Sequence, residues 1–190
     1  MSVSKPSDNP FEHLDQVHGR LFALMNRQRN LAEFGKAALE TDELDELLEA
    51  AARFAADGLE CDRAKVLQFD RKRGDFLVRS GVGWDPGVVG RVRLGADLQS
   101  PAGYAFRTDK PVLSNNLQHE RNFRAPPLLQ DHGIRSAINV IIRTRTDRWG
   151  VLEVDSQRVD AFDEDDAHFL HGFANLVGLG LCRNAVRSLA

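Results

Sequence analysis

The chain has 190 residues, of which 42% are hydrophobic and 28% are charged, and its formal net charge is −3. This composition is typical of a globular domain with a sizeable core, and the charge gives no reason to expect nucleic acid as a partner. The sequence shows neither a signal-peptide pattern nor the roughly 20 apolar residues that span a bilayer, so we expect a cytoplasmic protein without a membrane partner.

The N-terminal region predicts a disordered segment followed by a long helix. Residues 1–9 are polar and are expected to be disordered, and Asn9-Pro10 fits a helix start. A helix over 10–38 places apolar residues at alternating spacings of three and four, interrupted by Gln28: Leu14, Val17, Leu21, Leu24 and Leu31. This short heptad pattern indicates a dimerisation helix ahead of a domain at 39–190. An amphipathic helix packed on its own domain stays open as the alternative.

The middle of the chain alternates strands with short helices. We predict a second helix over 43–58 and a hairpin of strands at 64–70 and 75–84. A glycine-rich connector follows at 85–103, with a short helix capped by Ser100. The pattern then predicts a strand at 111–116 and a one- or two-turn helix before Gly133.

The last third of the chain predicts a second hairpin and a final helix. Residues 133–154 contain two apolar runs around a charged turn, and Asp163 with Asp166 forms a capping-box-like start for a helix that runs to the C-terminus. Tight turns between neighbouring strands make the sheet antiparallel. The fold class is therefore α+β, with helices bracketing an antiparallel sheet.

Four segments in this order resemble the GAF domain, a small-molecule sensing module of signalling proteins. They are CDRAKVLQFD at 61–70, SPAGYAFRTDKPVLSNNL at 100–117, LLQDHGIRSAINVII at 128–142 and WGVLEVDS at 149–156 with the helix after it. The resemblance covers about residues 31–188. The segment 115–133 is most similar to GAF domains of bacterial sensor histidine kinases.

The resemblance implies a six-stranded antiparallel sheet of the GAF/PAS-like kind. The terminal helices would cover one face, and loops and short helices at 85–133 would enclose a pocket on the other. It also implies a non-catalytic sensory domain in a sensor histidine kinase system. Such a domain binds a small ligand of unknown identity and signals through its N- and C-terminal helices, as a homodimer, to a kinase or another output domain.

Six residues are the candidate ligand contacts: Trp84, Tyr104, Phe106, Phe123, Asn139 and Glu153. Asn139 and Glu153 are polar residues inside apolar strands, where a buried polar group requires a partner. They lie on adjacent strands if the turn is centred near 146–147. Each aromatic residue could equally fill the core. His119 and His132, in the covering loops, are further candidates for ligand contact.

No catalytic or metal site is expected from the sequence. Ser136 lacks a GxSxG elbow and shares a strand face with apolar residues. His168 and His171 are spaced for one helix face but have no evident third ligand, so a solvated face is the preferred interpretation. The arginines at 143, 145 and 148 indicate a solvated hairpin tip, with an anion or partner surface as the alternative.

The two cysteines argue against the chemistry of some GAF relatives. Cys61 and Cys182 lie outside the connectors. A thiol-dependent methionine sulfoxide reductase is therefore the least favoured function, and a covalently attached bilin is not expected. Asp155-Ser156 stands where cyclic-nucleotide-binding relatives carry Asn-Lys, which argues against that ligand. The main alternative to a sensor is a homodimerisation module with a vestigial pocket.

Overall fold

The computed structural model describes residues 10–187, so the predicted disordered segment 1–9 lies outside the described residues. The helices are α1 (Pro10–Glu40), α2 (Leu44–Gly58), α3 (Pro101–Thr108), α4 (Pro127–Asp131) and α5 (Glu164–Arg187). The strands are β1 (Arg63–Asp70), β2 (Asp75–Val82), β3 (Arg93–Gly95), β4 (Val112–Ser114), β5 (Ser136–Arg143) and β6 (Arg148–Ser156).

The six strands form one antiparallel sheet in the order β3-β2-β1-β6-β5-β4. The α+β class and the six-stranded sheet are thus confirmed. Strand β3 was not predicted, since it lies inside the glycine-rich segment 85–103 that was expected to be a connector. With only three residues it has no measurable alternation of its own, and it is a strand because it pairs with β2 through Leu77↔Arg93 to Asp75↔Gly95.

The helices α1, α2 and α5 cover one face of the sheet. The strand residues that meet them are all small or aliphatic: Ala64, Val66, Ile138, Val140, Ile142, Leu152 and Val154. On the helix side the core includes Phe34 of α1, whose ring stacks on Phe173 of α5 at a centroid distance of 4.4 Å. This layer supplies most of the buried apolar surface that drives folding.

The connector and the short helices α3 and α4 cover the other face. An apolar cluster at one end of this face joins Leu67, Phe76 and Val151 of the strands to Phe106 of α3 and Leu128 of α4. A smaller cluster at the other end joins loop residues to β5. Between them lies a group of polar side chains.

Two predicted helix starts are confirmed in detail. Ser100 Oγ accepts a hydrogen bond from Gly103 N at 3.0 Å, with Pro101 in the first helical position. At α5, Asp166 N donates to Asp163 Oδ1 and Asp163 N donates to Asp166 Oδ2, each at 2.9 Å. This reciprocal pair is the arrangement of a capping box.

Helix α1 uses two different faces. Its C-terminal half packs on the domain through Asn30, Phe34 and Ala38, which lie four residues apart. Four of the heptad residues are exposed, Leu14, Val17, Leu21 and Leu24, whereas the fifth, Leu31, is partly buried and packs against the helix-side core. The exposed part of the heptad, residues 14–24, is therefore distinct from the part of α1 that packs on the domain. None of the helices among residues 10–187 is long and apolar enough to cross a membrane. The division at residues 38 and 39 stays a prediction.

Candidate functional site

A buried polar cluster occupies the sheet face that the connector covers. The sheet register places it: Lys65 of β1 pairs with Glu153 of β6, which pairs with Asn139 of β5. Asp155 points to the same face, two residues beyond Glu153. These four side chains are between 0 and 2% exposed. Because side chains alternate along a strand, β6 presents these two carboxylates to one layer and apolar side chains to the other.

Lys65 is the centre of the cluster. Its Nζ lies 2.9 Å from Glu153 Oε1 and 2.6 Å from Asp155 Oδ2. It also lies 4.4 Å from the centroid of the Trp84 ring, within the range of a cation–π contact. Two carboxylates and one ammonium group thus share a site without contact to solvent.

Burial and the neighbouring Glu153 raise the pKa of Asp155 well above its ordinary value of 3.8, although Lys65 opposes the rise. The physical cause is that a desolvated carboxyl group beside a second carboxylate is more stable with its proton. A proton on Asp155 makes the cluster electrically neutral.

Asn139 is the least satisfied member of the cluster. Within residues 10–187, neither its Oδ1 nor its Nδ2 has a hydrogen-bond partner, and Asp155 Oδ1 also lacks one. A buried polar group without a partner costs about 1–3 kcal/mol of folding free energy. The predicted neighbours Asn139 and Glu153 are directly opposite each other, yet Glu153 pairs with Lys65 and not with Asn139.

The Trp84 ring covers Lys65 on the side away from the sheet. Its Nε1 donates to Ala64 O at 2.9 Å, which holds the indole across β1. Two glycines make this position possible. A Cβ on Gly81 would lie 2.9 Å from both Ala64 O and Trp84 Cδ1. Gly83, at φ 76°, gives the chain the left-handed turn that brings Trp84 back over the strand.

His132, directly after α4, packs against the Trp84 ring at the edge of the cluster. Its ring meets Trp84 edge-on at a centroid distance of 5.0 Å, and its Nδ1 lies 2.9 Å from Leu128 O. Its Nε2 lies 3.4 Å from Asp85 Oδ2. His119, in contrast, is exposed and contacts Asn116 at 3.2 Å. Of the two loop histidines, only His132 therefore borders the cluster.

The other predicted contacts lie in two further places. Phe106 packs with Phe69 and Phe76 at centroid distances of 4.5 and 5.3 Å, in the apolar cluster of this face. Tyr104 and Phe123 meet each other edge-on at 5.3 Å. The structure thus brings together Trp84, Asn139 and Glu153 of the six candidates, while the other three make aromatic contacts of their own.

Sequence reasoning did not select Lys65 or Asp155. A signal was available, because Lys65 interrupts the apolar run of β1 and Asp155 continues the alternation of Glu153 on β6. A lysine within a strand commonly lies at an exposed edge, however. Only the central place of β1 and β6 in the strand order buries both residues.

The residues considered for catalysis have structural roles or ordinary surroundings. Ser136 Oγ lies 2.9 and 2.8 Å from the carbonyl oxygens of Asn115 and Arg158, so it joins two loops to the start of β5. Burial raises the pKa of the Cys61 thiol to about 12. His168 is exposed, and the described residues contain no group of three or more His, Cys, Asp or Glu side chains that could hold a metal.

The arginines of the β5–β6 turn connect the hairpin to α3. Asp109 Oδ2 accepts from Arg143 and Arg148 at 2.7 and 3.0 Å. Asp109 is also the residue at which α3 ends, in a left-handed conformation with φ 59°. A surface groove of about 1230 Å³ lies between this turn, the C-terminal half of α5 and Leu44, away from the polar cluster.

The model of the GAF domain matches residues 43–181, well over half of the chain. No curated protein matches the chain in sequence.

Solved structures share the fold at low identity. The GAF domain of a phosphoenolpyruvate-protein phosphotransferase from Acinetobacter has a TM-score of 0.72 at 20% identity, covering 84% of this chain and 94% of that one. Free methionine-R-sulfoxide reductase from Neisseria meningitidis has a TM-score of 0.73 at 16% identity, covering 85% and 91%. A methyl-accepting chemotaxis protein fragment has a TM-score of 0.69 at 18% identity, covering 83% and 99%. These structures differ in function, so they establish the fold alone. With the family model, they lead to one conclusion: the chain belongs to the GAF domain family.

Proposed function

We propose that this chain is a non-catalytic sensory domain that binds a small ligand at the buried polar cluster and signals through its terminal helices. The observation that carries the proposal is the cluster of Lys65, Glu153, Asp155 and Asn139 beneath Trp84. A domain that only needed to fold would gain stability from apolar residues here. Retained polar groups at a cost in stability are typical of a functional site.

Strand β6 gives a physical route from the site to the helices. Glu153 and Asp155 face the cluster, whereas Leu152 and Val154 between them contact the helical layer. A shift of β6 on ligand binding would therefore move the packing of α5. Arg27 of α1 pairs with Asp166 at the start of α5, and Arg183 near its end bonds the carbonyl oxygens of Leu39 and Thr41. These contacts join both ends of α5 to the C-terminal half of α1 and the residue that follows it.

The cysteines support a non-catalytic domain. A thiol with a pKa of about 12 is protonated at neutral pH and is a poor nucleophile. Cys61 lies between α2 and β1, and its Sγ contacts Leu59 O at 3.3 Å. Cys182 lies on α5 beside the hairpin turn. Neither cysteine belongs to the polar cluster, although one solved structure of this fold is a reductase.

The output that we propose is a histidine kinase of a cytoplasmic two-component system. The segment 115–133 carries this part of the proposal through its resemblance to GAF domains of such kinases. Similarity to a fragment of a chemotaxis protein is consistent with a signalling role. Helices α1 and α5 run parallel to each other, since α1 residues 27 and 39 contact α5 near residues 166 and 183. A signal could therefore enter through one helix and leave through the other.

Native mass spectrometry tests the ligand proposal. We expect protein purified under mild conditions to carry a non-covalent small molecule, and Asn139→Val to lose it. Asn175→Val is the control, because Asn175 is exposed on α5, away from the cluster. Hydrogen exchange in α1 and α5 should slow when the molecule is present. Wild-type protein that retains nothing and gains no thermal stability from a metabolite library would contradict the proposal.

A second function, homodimerisation, is supported by the exposed heptad face of α1. Leu14, Val17, Leu21 and Leu24 are between 48 and 56% exposed, and Met25 is 63% exposed. The same repeat on a second copy is self-complementary, since leucines at heptad spacing interlock across a two-fold axis. We propose a second copy of this chain as its partner.

Sedimentation velocity tests the dimer. We expect Leu21→Glu to convert dimer to monomer without changing the thermal midpoint of the domain. Leu98→Glu is the matched control, because Leu98 is also 53% exposed but lies in the connector. A wild-type monomer at high concentration, or equal effects of both substitutions, would contradict the dimer.

A further inference from the structure

The charges in the polar cluster restrict what it can bind. Lys65 Nζ has three N–H bonds, and three groups surround it: Glu153 Oε1 at 2.9 Å, Asp155 Oδ2 at 2.6 Å and the Trp84 ring at 4.4 Å. Its hydrogen-bonding capacity is met within the protein. The lysine therefore has no donor to offer to a phosphate or carboxylate group of a ligand.

The carboxylates outnumber the cations at this site. Within the part of the chain that the structure describes, Lys65 is the only cation in ion-pair contact with Glu153 or Asp155. The neighbouring His132 instead faces Asp85, at 3.4 Å. Without a ligand, a proton on Asp155 neutralises the cluster; with both carboxylates ionised, one ammonium group would leave one negative charge in a site that solvent does not reach. A bound cation could therefore take the place of the Asp155 proton, which would be released to solvent on binding, and the site would stay neutral.

The unpaired polar atoms of the cluster also favour a cationic hydrogen-bond donor as the ligand group. Asp155 Oδ1 and Asn139 Oδ1 are buried acceptors without a donor among residues 10–187, and Asn139 Nδ2 is a buried donor without an acceptor. The strand register places both residues on one face of neighbouring strands, with Asn139 opposite Glu153 and Asp155 two positions along. A group with a positive charge and several N–H donors has the chemistry that both acceptors require.

We propose that the ligand of this domain carries a primary ammonium group, which binds between Asp155 Oδ1 and Asn139 Oδ1 beside the Lys65 ion pairs. This inference rests on the proposed ligand-binding function of the cluster. Asn139 Nδ2 offers a donor to a neighbouring carbonyl or hydroxyl oxygen of the same molecule. The Trp84 ring is half-buried above the cluster. In this proposal the apolar part of the ligand packs against that ring. The class is thus a small organic amine and not an anion.

Three probes of equal length test the class by saturation-transfer NMR: n-butylammonium, 1-butanol and butyrate. We expect n-butylammonium to bind wild-type protein at least tenfold more tightly than the other two. Asp155→Asn should weaken this binding at least tenfold, and Glu153→Gln should also weaken it. Asp147→Asn, which removes an exposed carboxylate at the hairpin turn, should leave it unchanged. Urea unfolding of each variant verifies that it is folded.

The outcomes separate this inference from the function on which it rests. Preferred binding of butyrate or 1-butanol, or a retained native ligand without an amino group, overturns the ammonium class while ligand binding stands. Equal weakening of n-butylammonium binding by Asp147→Asn and Asp155→Asn overturns it as well. The effect would then come from the overall charge of the protein and not from a contact with Asp155. No probe binding, together with no retained molecule, overturns both proposals.

Discussion

The two faces of the β5–β6 hairpin bury different kinds of side chain. Toward the helices, the central part of the hairpin presents buried aliphatic side chains, among them Ile138, Val140 and Leu152, and only the neutral Ser136 and Ser156 at its end are polar. Toward the connector, the same two strands bury Asn139, Glu153 and Asp155. The aliphatic face contributes to stability, whereas the other face buries charged groups at a cost in desolvation free energy. The difference is the reason for placing the proposed site on the connector side, because the buried carboxylates of β6 lie there.

The same contrast explains how a local event could reach the terminal helices. Alternate residues of one strand belong to the two layers, so a displacement of β6 that moves Glu153 also moves Leu152. Packed interiors respond to such shifts as a unit because they contain little free volume. The predictions below disturb one face or the other, beginning with the largest effect.

Lys65→Met should have the largest effect. It leaves Glu153 and Asp155 without their cation, and breaking a buried ion pair costs about 3–5 kcal/mol of unfolding free energy. Urea denaturation measures the loss. Lys72→Met, in the exposed β1–β2 turn, should change stability by less than about 0.5 kcal/mol.

Neutralising the partners should reverse this loss. The triple variant Lys65→Met, Glu153→Gln, Asp155→Asn removes the unpaired charges and should recover more than half of the lost stability. If Lys65→Met alone costs less than about 1 kcal/mol, the ion pairs are not the organising feature of this face.

Leu152→Ala should destabilise by about 3 kcal/mol through loss of burial and the cavity left between β6 and the helices. Unlike the Lys65 variant, it should show the same loss at every pH, because no ionisable group is removed. Leu179→Ala is the control, since Leu179 is 67% exposed on α5. A loss in Leu152→Ala that depends strongly on pH would show that the two faces are not independent.

Asp155→Asn should change how stability depends on pH. Burial raises the pKa of Asp155 in the folded state, so the folded protein holds this proton more tightly than the unfolded chain. The stabilisation is complete below the unfolded pKa of about 3.8 and is lost as pH rises through the folded pKa. Relative to Asp155→Asn, wild-type stability should fall with rising pH, by at most about 1.4 kcal/mol per pH unit for one proton.

Asp75→Asn provides the contrast in the same urea titrations. The hydrogen bond from Arg93 lowers the pKa of Asp75. Its contribution is therefore present above the unfolded pKa and is lost as pH falls through the folded pKa. Parallel pH profiles for wild type and Asp155→Asn would contradict the proposed protonation of the cluster.

Asn139→Val should stabilise the ligand-free domain by about 1 kcal/mol, since it removes a buried amide without partners and introduces a β-branched residue into a strand. Asn115→Val should do the opposite. The Asn115 side chain donates to Phe162 O at 2.7 Å and accepts from Phe162 N at 3.2 Å. Thermal unfolding compares the two. Destabilisation by both substitutions would mean that Asn139 has a structural role.

The sequence predicted the fold closely where periodicity was strong. Leu170, Ala174, Val177 and Leu181 form the buried stripe of α5 as expected, and both predicted hairpins form. In the first, a β-bulge interrupts the alternation, so Phe76 and Val78 join the connector-side cluster while Val82 packs on the helix side. The sequence failed at β3, where three residues carry no period and pairing alone makes the strand. For the candidate site, it selected Trp84, Asn139 and Glu153, since each is unusual in its local segment.

Local sequence therefore determined the elements, their order and the polar residues that interrupt apolar strands. Tertiary structure alone decided that Lys65 and Asp155 complete the site, because their burial depends on the central position of β1 and β6 in the sheet. It also decided that Phe106 joins an aromatic cluster away from the cluster of charges. The reason is physical: periodicity reports which face a residue occupies, whereas the strand order and the chain that crosses the face decide which residues meet there.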